Sequence, residues 1–240
     1  RANAVFPVTP HLANELIQRG AARVHVAHDG IRRERFENMP DQQAARAKIG
    51  WPSEAFIVGY IGRLHTMSMD KGVGTLIQAL RQVDGASLAL VGGPDDMAEK
   101  LRQQWLAYGL PAGRFLYAGQ VRPDSVPLYL SAFDMCAMPF PWTEHFAYYA
   151  SPIKLFEYMA SGRAIVASDL PSTADVVRDG ESALLVPPGD VDSLAQAITR
   201  LRDDPALRQT LATCAREIVL AHYTWEARAK MILKAVGDET

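Results

Sequence analysis

Two charged residues three positions apart, Lys154 and Glu157, occupy a segment that begins with helix-boundary signals. Ser151 is a favoured N-cap residue, and Pro152 suits the first helical position. These signals predict a helix over Pro152–Ser161 with Lys154 in its first turn, where the helix dipole disfavours a cation by about 0.3–1 kcal/mol. A bound anion would reverse that sign, and Glu157 would share the helix face of Lys154. The segment therefore suggests a site for a phosphate and a sugar.

A plainer interpretation stays open for this segment, in which Lys154 is solvated and Glu157 is its i,i+3 ion-pair partner. A second occurrence of the pattern favours the site. The apolar run Phe56–Ile61 ends in Gly62 and Arg63, and a predicted helix opens near Asp70 and Lys71, again with a lysine in its first turn. Together Arg63, Lys71 and Lys154 suggest a cationic cradle for a diphosphate.

Composition excludes several other classes of function. The 240 residues carry 25 basic and 27 acidic side chains and a net charge of −2, which gives no electrostatic argument for nucleic acid. The two cysteines, Cys136 and Cys214, are too few for a disulfide framework or a zinc site. No apolar run reaches the ~18 residues of a membrane span, so we expect a cytoplasmic protein, at most peripheral at the inner membrane face.

The fold class follows from the alternation of segments. Short runs rich in Val, Ile, Leu, Phe and Tyr alternate with helix-like segments, as expected for a doubly wound parallel α/β sheet of the Rossmann-like type. Ligands in such folds bind at the carboxyl ends of the strands, where Arg63 and the two lysines are predicted to lie. The predicted strands are Phe56–Ile61, Ser87–Val91, Phe115–Tyr117, Met135–Met138, Ala164–Ala167 and Ala183–Val186.

Two common nucleotide-binding motifs are absent from the sequence. Val58 to Gly62 carries two glycines after strand-like residues but lacks the third glycine and the later acidic residue of a dinucleotide fingerprint. No Gly-Lys-Ser or Gly-Lys-Thr occurs, so there is no P-loop.

An ordered series of short motifs resembles the retaining glycosyltransferases of the GT-B fold, specifically family four (group 1) and its C-terminal, donor-binding half. Each motif alone is weak, but their order and spacing together are specific, and they cover most of the chain. The motifs are Gly62-Arg-Leu with Lys71-Gly, Leu88-Ala-Leu-Val-Gly-Gly-Pro94, Phe115-Leu-Tyr-Ala-Gly-Gln120, Glu157-Tyr-Met-Ala-Ser-Gly162 and Leu184-Leu-Val-Pro-Pro-Gly-Asp190.

The resemblance implies a role for each matching residue. Arg63 and Lys71 resemble the catalytic pair that grips the donor diphosphate and stabilises it as it leaves. Glu157 resembles the glutamate that holds the ribose hydroxyls. The remaining donor contacts implied for this chain are Gly62, the loop at Gln120 and Val121, and the segment Ser151, Pro152, Ile153 and Lys154. Transfer in this family needs no metal or other cofactor, so the donor is expected to be a nucleoside diphosphate sugar alone.

One position departs from the family pattern. The family usually has a sugar-binding glutamate eight residues before Glu157, and this chain has Tyr149 there. Glu144 is close but out of register. The resemblance therefore leaves the sugar contact open among Tyr149, Glu144, Ser151 and Lys154.

The resemblance also predicts a division of the chain. Residues 1–33 are expected to be a remnant of an N-terminal domain and the interdomain crossing, 34–221 the nucleotide-sugar domain, and 222–240 a C-terminal helix and tail. The N-terminal half, expected to hold a glycan or lipid-linked acceptor, is predicted to be missing. We therefore expect the chain to bind its donor weakly and to transfer nothing alone.

Two other functions stay open from the sequence. The same fold serves nucleotide-sugar epimerases and phosphorylases, although no clear set of acid–base residues for either is visible. A non-catalytic sugar-nucleotide-binding domain is also compatible, with Tyr149 marking a lost sugar site.

Overall fold

A six-stranded parallel sheet forms the centre of the computed structural model, which describes residues 3–237. A separate two-stranded hairpin, β2–β3, follows the first strand. All six positions of the predicted strands are confirmed, with ends that differ by at most two residues. The strands are β1 (Phe56–Ile61), β2 (His65–Thr66), β3 (Met69–Asp70), β4 (Ala86–Val91), β5 (Phe115–Gly119), β6 (Met135–Met138), β7 (Ala164–Ser168) and β8 (Leu184–Val186).

The strand order is β5-β4-β1-β6-β7-β8, with every neighbouring pair parallel. The chain moves outward from β1 to β4 and β5, then returns to the other side of β1 at β6. This reversal makes the gap between β1 and β6 the topological switch point, where ligands bind outside the carboxyl ends of the strands. The predicted doubly wound sheet is therefore correct.

Helices cover both faces of the sheet, because alternate residues of each strand face opposite sides. Val58 and Tyr60 of β1 join one apolar core, and Ile57 and Ile61 join the other. The helices are α1 (Pro10–Gln18), α2 (Gln42–Ile49), α3 (Val73–Leu80), α4 (Asp95–Ala107), α5 (Val126–Ala132), α6 (Ile153–Ala160), α7 (Pro171–Ala174), α8 (Val191–Asp203), α9 (Pro205–His222) and α10 (Trp225–Gly237).

The structure contains a helix that the sequence pattern did not predict. Residues 42–49, for which the sequence pattern predicts no helix, form α2. Asp41 caps it by accepting a hydrogen bond from the Ala44 N–H, and Gly50 ends it in the left-handed conformation. Its buried positions are Ala45 and Arg46, so an apolar pattern could not reveal it.

The first and last elements of the described chain pack against each other. Ile31, in the connection after α1, pairs with Thr224, and its carbonyl accepts from the Trp225 N–H at the start of α10. Arg228 of α10 forms an ion pair with Asp29 at 2.8 Å. The segment predicted to be an interdomain crossing is therefore held to the last helix by a backbone hydrogen bond and an ion pair.

The hairpin β2–β3 contains an unusual turn. The spacing from Arg63 to Lys71 is a few residues longer than in the family pattern, and the extra residues, Thr66 to Met69, are predicted to form a surface loop rather than a mobile flap. This segment forms a two-residue turn in which Met67 and Ser68 have φ of 50° and 61°. Positive φ at both central positions matches the type I′ turn, which favours Asn-Gly because other residues are strained there.

Replacing both turn residues, M67N with S68G, is therefore expected to stabilise the protein by about 1 kcal/mol. Both side chains are exposed, so the substitution removes strain without removing packing. Urea denaturation measures the change. The exposed Ser53, which lacks a positive φ, gives the control S53G, for which no gain is expected. Equal effects of the two changes would show that the turn is not strained.

Candidate active site

The ends of β1 and β4 come into backbone contact. A Cβ atom on Gly92 would lie 2.0 Å from the Gly62 carbonyl oxygen, so only glycine fits at Gly92. The Gly62 N–H donates to the Val91 carbonyl at 2.8 Å, and the Leu64 N–H donates to the Gly93 carbonyl at 3.0 Å. These bonds extend the strand pairing by a few residues and fix the loop that carries Arg63.

Four of the predicted donor contacts line one cavity at this edge of the sheet. The cavity has a volume of about 460 Å³ and is open to solvent. Gly62 and Arg63 line it from the end of β1, and Gln120 and Val121 line it from the loop after β5. His65 and the segment 91–94 complete its walls. Arg63, which is predicted to contact the diphosphate, therefore lines the same cavity as the predicted donor contacts Gln120 and Val121.

Lys71 is buried, with 8% of its surface exposed, and is not among the residues that line this cavity. The prediction that Lys71 lies in the first turn of a helix is wrong, because α3 begins at Val73 and is preceded by Gly72. A Cβ atom on Gly72 would lie 1.7 Å from the Pro139 carbonyl oxygen, which holds this segment against the end of β6. The Lys71 ammonium lies over the Phe146 ring at 4.1 Å and the Phe140 ring at 4.6 Å.

Lys154, in α6, also contacts the Phe140 ring. Its Nζ is 5.0 Å from the centre of the Phe140 ring and 3.9 Å from that of Tyr60, and it donates a hydrogen bond to the Tyr60 hydroxyl. It also packs against Gly62, where an added Cβ would lie 3.2 Å from Nζ. Two lysines from different elements therefore share one aromatic ring at the switch point.

Neither lysine has a carboxylate within 4 Å among residues 3–237, so the ion pair of Lys154 with Glu157 is absent. Burial lowers the pKa of Lys71 to about 8, opposed by the nearby charge of Asp70. Burial also lowers the pKa of Lys154 well below its usual value, with a further lowering from the positive charge of Lys71. Lysines without a directly paired carboxylate at a strand edge make this a candidate site for a ligand anion.

Glu157 is not among the residues that line the cavity at Arg63. It lines a small cavity of about 130 Å³ together with Ile153, Arg32 and Arg35. Burial raises the pKa of Glu157, and the charges of Arg35 and Lys154 oppose that rise. The structure therefore places Glu157 close enough to Lys154 for their charges to interact, but in a pocket separate from the one that Arg63 lines.

The start of α6 differs from its prediction. The helix begins at Ile153, and the residue before it, Pro152, makes no side-chain capping bond. Ser151 is not the N-cap, because its hydroxyl accepts instead from the Asp29 N–H at 3.1 Å. This contact ties the loop before α6 to the segment near residue 30, and Ile153 remains exposed at the surface.

Tyr149 and Glu144, the predicted sugar contacts, lie outside the cation cluster. The Tyr149 hydroxyl donates to Glu15 of α1 at 2.7 Å, so the side chain is turned toward that helix. Glu144 is exposed, at the start of a π-helical turn over His145–Tyr149. Neither side chain is directed toward Lys71 or Lys154 by any contact of the described residues.

A comparison with protein-family models matches the description "Glycosyl transferases group 1" over residues 55–204. This range spans β1 through α8 and includes every cation of the site. The chain belongs to the group 1 glycosyltransferases.

Among curated relatives of this glycosyltransferase, a phosphatidyl-myo-inositol mannosyltransferase of Mycobacterium leprae is 32% identical over 201 residues, covering 82% of this chain and 50% of the relative. A D-inositol 3-phosphate glycosyltransferase of Salinispora arenicola is 28% identical, covering 94% and 52%. The chain thus spans about half the length of the curated relatives it matches.

Solved structures agree with this glycosyltransferase assignment. The structure of Anabaena HepE in complex with UDP and glucose superposes with a TM-score of 0.82 at 25% identity, covering 98% of this chain and 63% of that one. Sucrose-phosphate synthase from Thermosynechococcus elongatus superposes with a TM-score of 0.81 at 30% identity, covering 99% and 58%. Both similarities extend over the whole sheet and its helices.

Four side chains that surround the charges of this glycosyltransferase were not predicted from sequence. Tyr60, Phe140 and Phe146 hold the two lysines, and Arg35 acts on Glu157. The aromatic residues carried a signal only for burial. Arg35, which pairs with Asp124 at 3.1 Å, lies in a stretch where the sequence pattern predicts no functional residue. Within residues 3–237, no three side chains gather as metal ligands, and no helix has the length and apolarity of a membrane span.

Proposed function

We propose that this chain is the donor-binding half of a retaining glycosyltransferase that moves a hexose from a nucleoside diphosphate sugar to a glycan or lipid-linked acceptor. The observation that carries the proposal is the pair formed by buried Lys71 and half-buried Lys154, which share the Phe140 ring and have no carboxylate within 4 Å among residues 3–237. Lys154 packs against Gly62, which lines the same cavity as Arg63. The UDP and glucose bound by HepE support a nucleotide sugar as the ligand.

In this proposal the diphosphate binds at the ends of β1 and β6. Arg63 and Lys71 meet the negative charge that grows on the leaving diphosphate, which is the kind of preorganised stabilisation worth about 2.7–4 kcal/mol for one donor group in an oxyanion hole. Lys154 adds a third cation, the base lies against Gln120 and Val121, and Glu157 accepts from the ribose hydroxyls. The proposal assigns no step to a metal.

Calorimetric titration of this chain with UDP, GDP, ADP and NAD in parallel tests the proposal. We expect one nucleoside diphosphate to bind selectively, with affinity reduced about tenfold or more in E157Q, because the substitution removes a charged hydrogen-bond acceptor. The exposed acidic residue Glu99 supplies the control E99Q. Binding of NAD instead of any diphosphate, or an unchanged affinity in E157Q, would contradict the proposed donor site.

One observation favours a second function, a sugar-nucleotide-binding domain without catalysis. Tyr149 stands where a sugar-binding glutamate is expected and is bonded to Glu15 instead. A complete protein that binds a nucleotide sugar tightly but neither transfers nor hydrolyses it would establish this function.

A further inference from the structure

Tyr60 is a buried residue of β1 whose hydroxyl has no part in the chemistry proposed above. It donates a hydrogen bond to the Arg63 carbonyl at 2.8 Å and accepts one from the Lys154 ammonium. Its ring lies under the same ammonium. One side chain thus contacts the loop that carries Arg63 and the cation supplied by α6.

Lys154 depends on this hydroxyl for its orientation. Within the described part of the chain, the Tyr60 oxygen is the hydrogen-bond acceptor found for Lys154 Nζ, and the other contacts of Nζ are the faces of aromatic rings. A ring face attracts a cation but leaves its direction loosely defined, whereas a hydroxyl oxygen specifies it.

We infer that Tyr60 is a positioning residue for the anion site, linking the Lys154 ammonium to the Arg63 loop through a single hydroxyl. The inference rests on the proposed function, because it concerns the site that holds the diphosphate. Without the hydroxyl, Lys154 and Arg63 would stay on the same helix and loop, but the distance between them would no longer be fixed. Binding of a diphosphate would then include the entropy cost of ordering them.

The hydroxyl also affects the protonation of the site. The charged or titratable groups acting on the two lysines are Asp70 beside Lys71, Glu157 on α6, and the lysines themselves. The Tyr60 oxygen stabilises the ammonium form of Lys154 by accepting a hydrogen bond from it. Removing the oxygen lowers the pKa of Lys154 further, so anion affinity should begin to fall at a lower pH.

The chain contains a matched control for this effect. Tyr158 of α6 is also fully buried, and its hydroxyl also bonds to β1, accepting from the Ile61 N–H at 2.9 Å and donating weakly to the Ile61 carbonyl. Among the described residues, the hydrogen-bond partner of this hydroxyl is Ile61 and neither lysine bonds to it. Y60F and Y158F therefore remove equivalent buried hydroxyls, only one of which touches a cation of the site.

The test measures affinity for inorganic pyrophosphate and for UDP, from pH 6 to 9, in the wild type, Y60F and Y158F. We expect Y60F to weaken pyrophosphate binding about tenfold. We also expect its affinity to begin falling at a lower pH than that of the wild type. Y158F should keep both the affinity and the pH profile of the wild type. Thermal melting of both variants measures the loss of stability, which is the only effect expected if the hydroxyl is purely structural.

Equal affinities and equal pH profiles for Y60F and Y158F would overturn the positioning role, as would a wild type that does not bind pyrophosphate. Failure of the proposed function is distinguished by the second ligand. A wild type that binds pyrophosphate with the expected dependence on Tyr60, but no nucleoside diphosphate, would retain the role of Tyr60 and reject a nucleotide-sugar donor.

Discussion

Replacing Lys71 by methionine in the complete glycosyltransferase is expected to lower kcat by about 100- to 1,000-fold, by analogy with loss of one oxyanion-hole donor. Lys71 is a fixed cation without a carboxylate partner in the described chain, so its charge is available to the leaving diphosphate. Steady-state kinetics at saturating donor would measure the effect. K48M, which changes an exposed lysine of α2, is the control and should leave kcat unchanged.

The same substitution should not destabilise the fold. Methionine keeps the aliphatic packing against Phe140 and Phe146 while removing a buried charge, so we expect K71M to raise the stability by about 1–2 kcal/mol at pH 7. Since the pKa of Lys71 is lowered to about 8, the unfolded chain binds more protons between pH 8 and 10.5. Wild-type stability therefore gains in that range, and the advantage of K71M should shrink.

Chemical denaturation of the wild type and K71M at pH 7 and pH 10 would show this change. A loss of both activity and several kcal/mol of stability in K71M would indicate that Lys71 is structural. An unchanged kcat would reject its role at the leaving group, whatever the stability.

Replacing Arg46 by methionine is expected to reduce the free energy of unfolding by about 3–5 kcal/mol, because it leaves the other partner of a buried ion pair without its counter-charge. Arg46 pairs with Asp134 at 2.7 Å and donates to the carbonyls of Ala132 and Ser53. Asp134 also accepts from the Ile57 N–H at the start of β1. Loss of Arg46 would leave this carboxylate largely buried with its charge uncompensated.

Urea denaturation of R46M measures the loss, and an exposed ion pair provides the comparison. Arg178 and Glu181 are 3.7 Å apart with both side chains mostly in solvent, so R178M should cost less than about 1 kcal/mol. A loss in R46M as small as that in R178M would show that Asp134 is satisfied by its other donors.

The sheet was predictable from sequence because each strand is a short apolar run between helix-like segments. Helix α2 was not, because Arg46 is buried through bonds to residues far away in the chain. The sequence pattern shows a polar residue but not the carbonyls and the carboxylate that it meets. Asp134 looks equally ordinary in the sequence, since its partners come from α2 and β1.

Sequence spacing singled out the candidate cations but did not reveal the side chains that surround them. Lys154 was selected for its place at a helix start, yet its close contacts are with Tyr60 and Phe140 on and after other strands. Those contacts form only when β1 and β6 become neighbours, so local spacing does not contain them. Tyr149 illustrates the converse, because the sequence register places it near the donor and its bond to Glu15 directs it elsewhere.

The ring of Phe140 between the two lysines has a consequence for the rate of ligand exchange. A lysine held by a carboxylate must give up one counterion to accept another, and the displaced carboxylate later helps to expel the ligand. An aromatic quadrupole attracts a cation without carrying net charge. If the proposed diphosphate binds at this site, its arrival would displace no carboxylate of the protein. Its departure would likewise receive no help from a returning carboxylate, so release of a nucleotide would depend on water and dissolved ions.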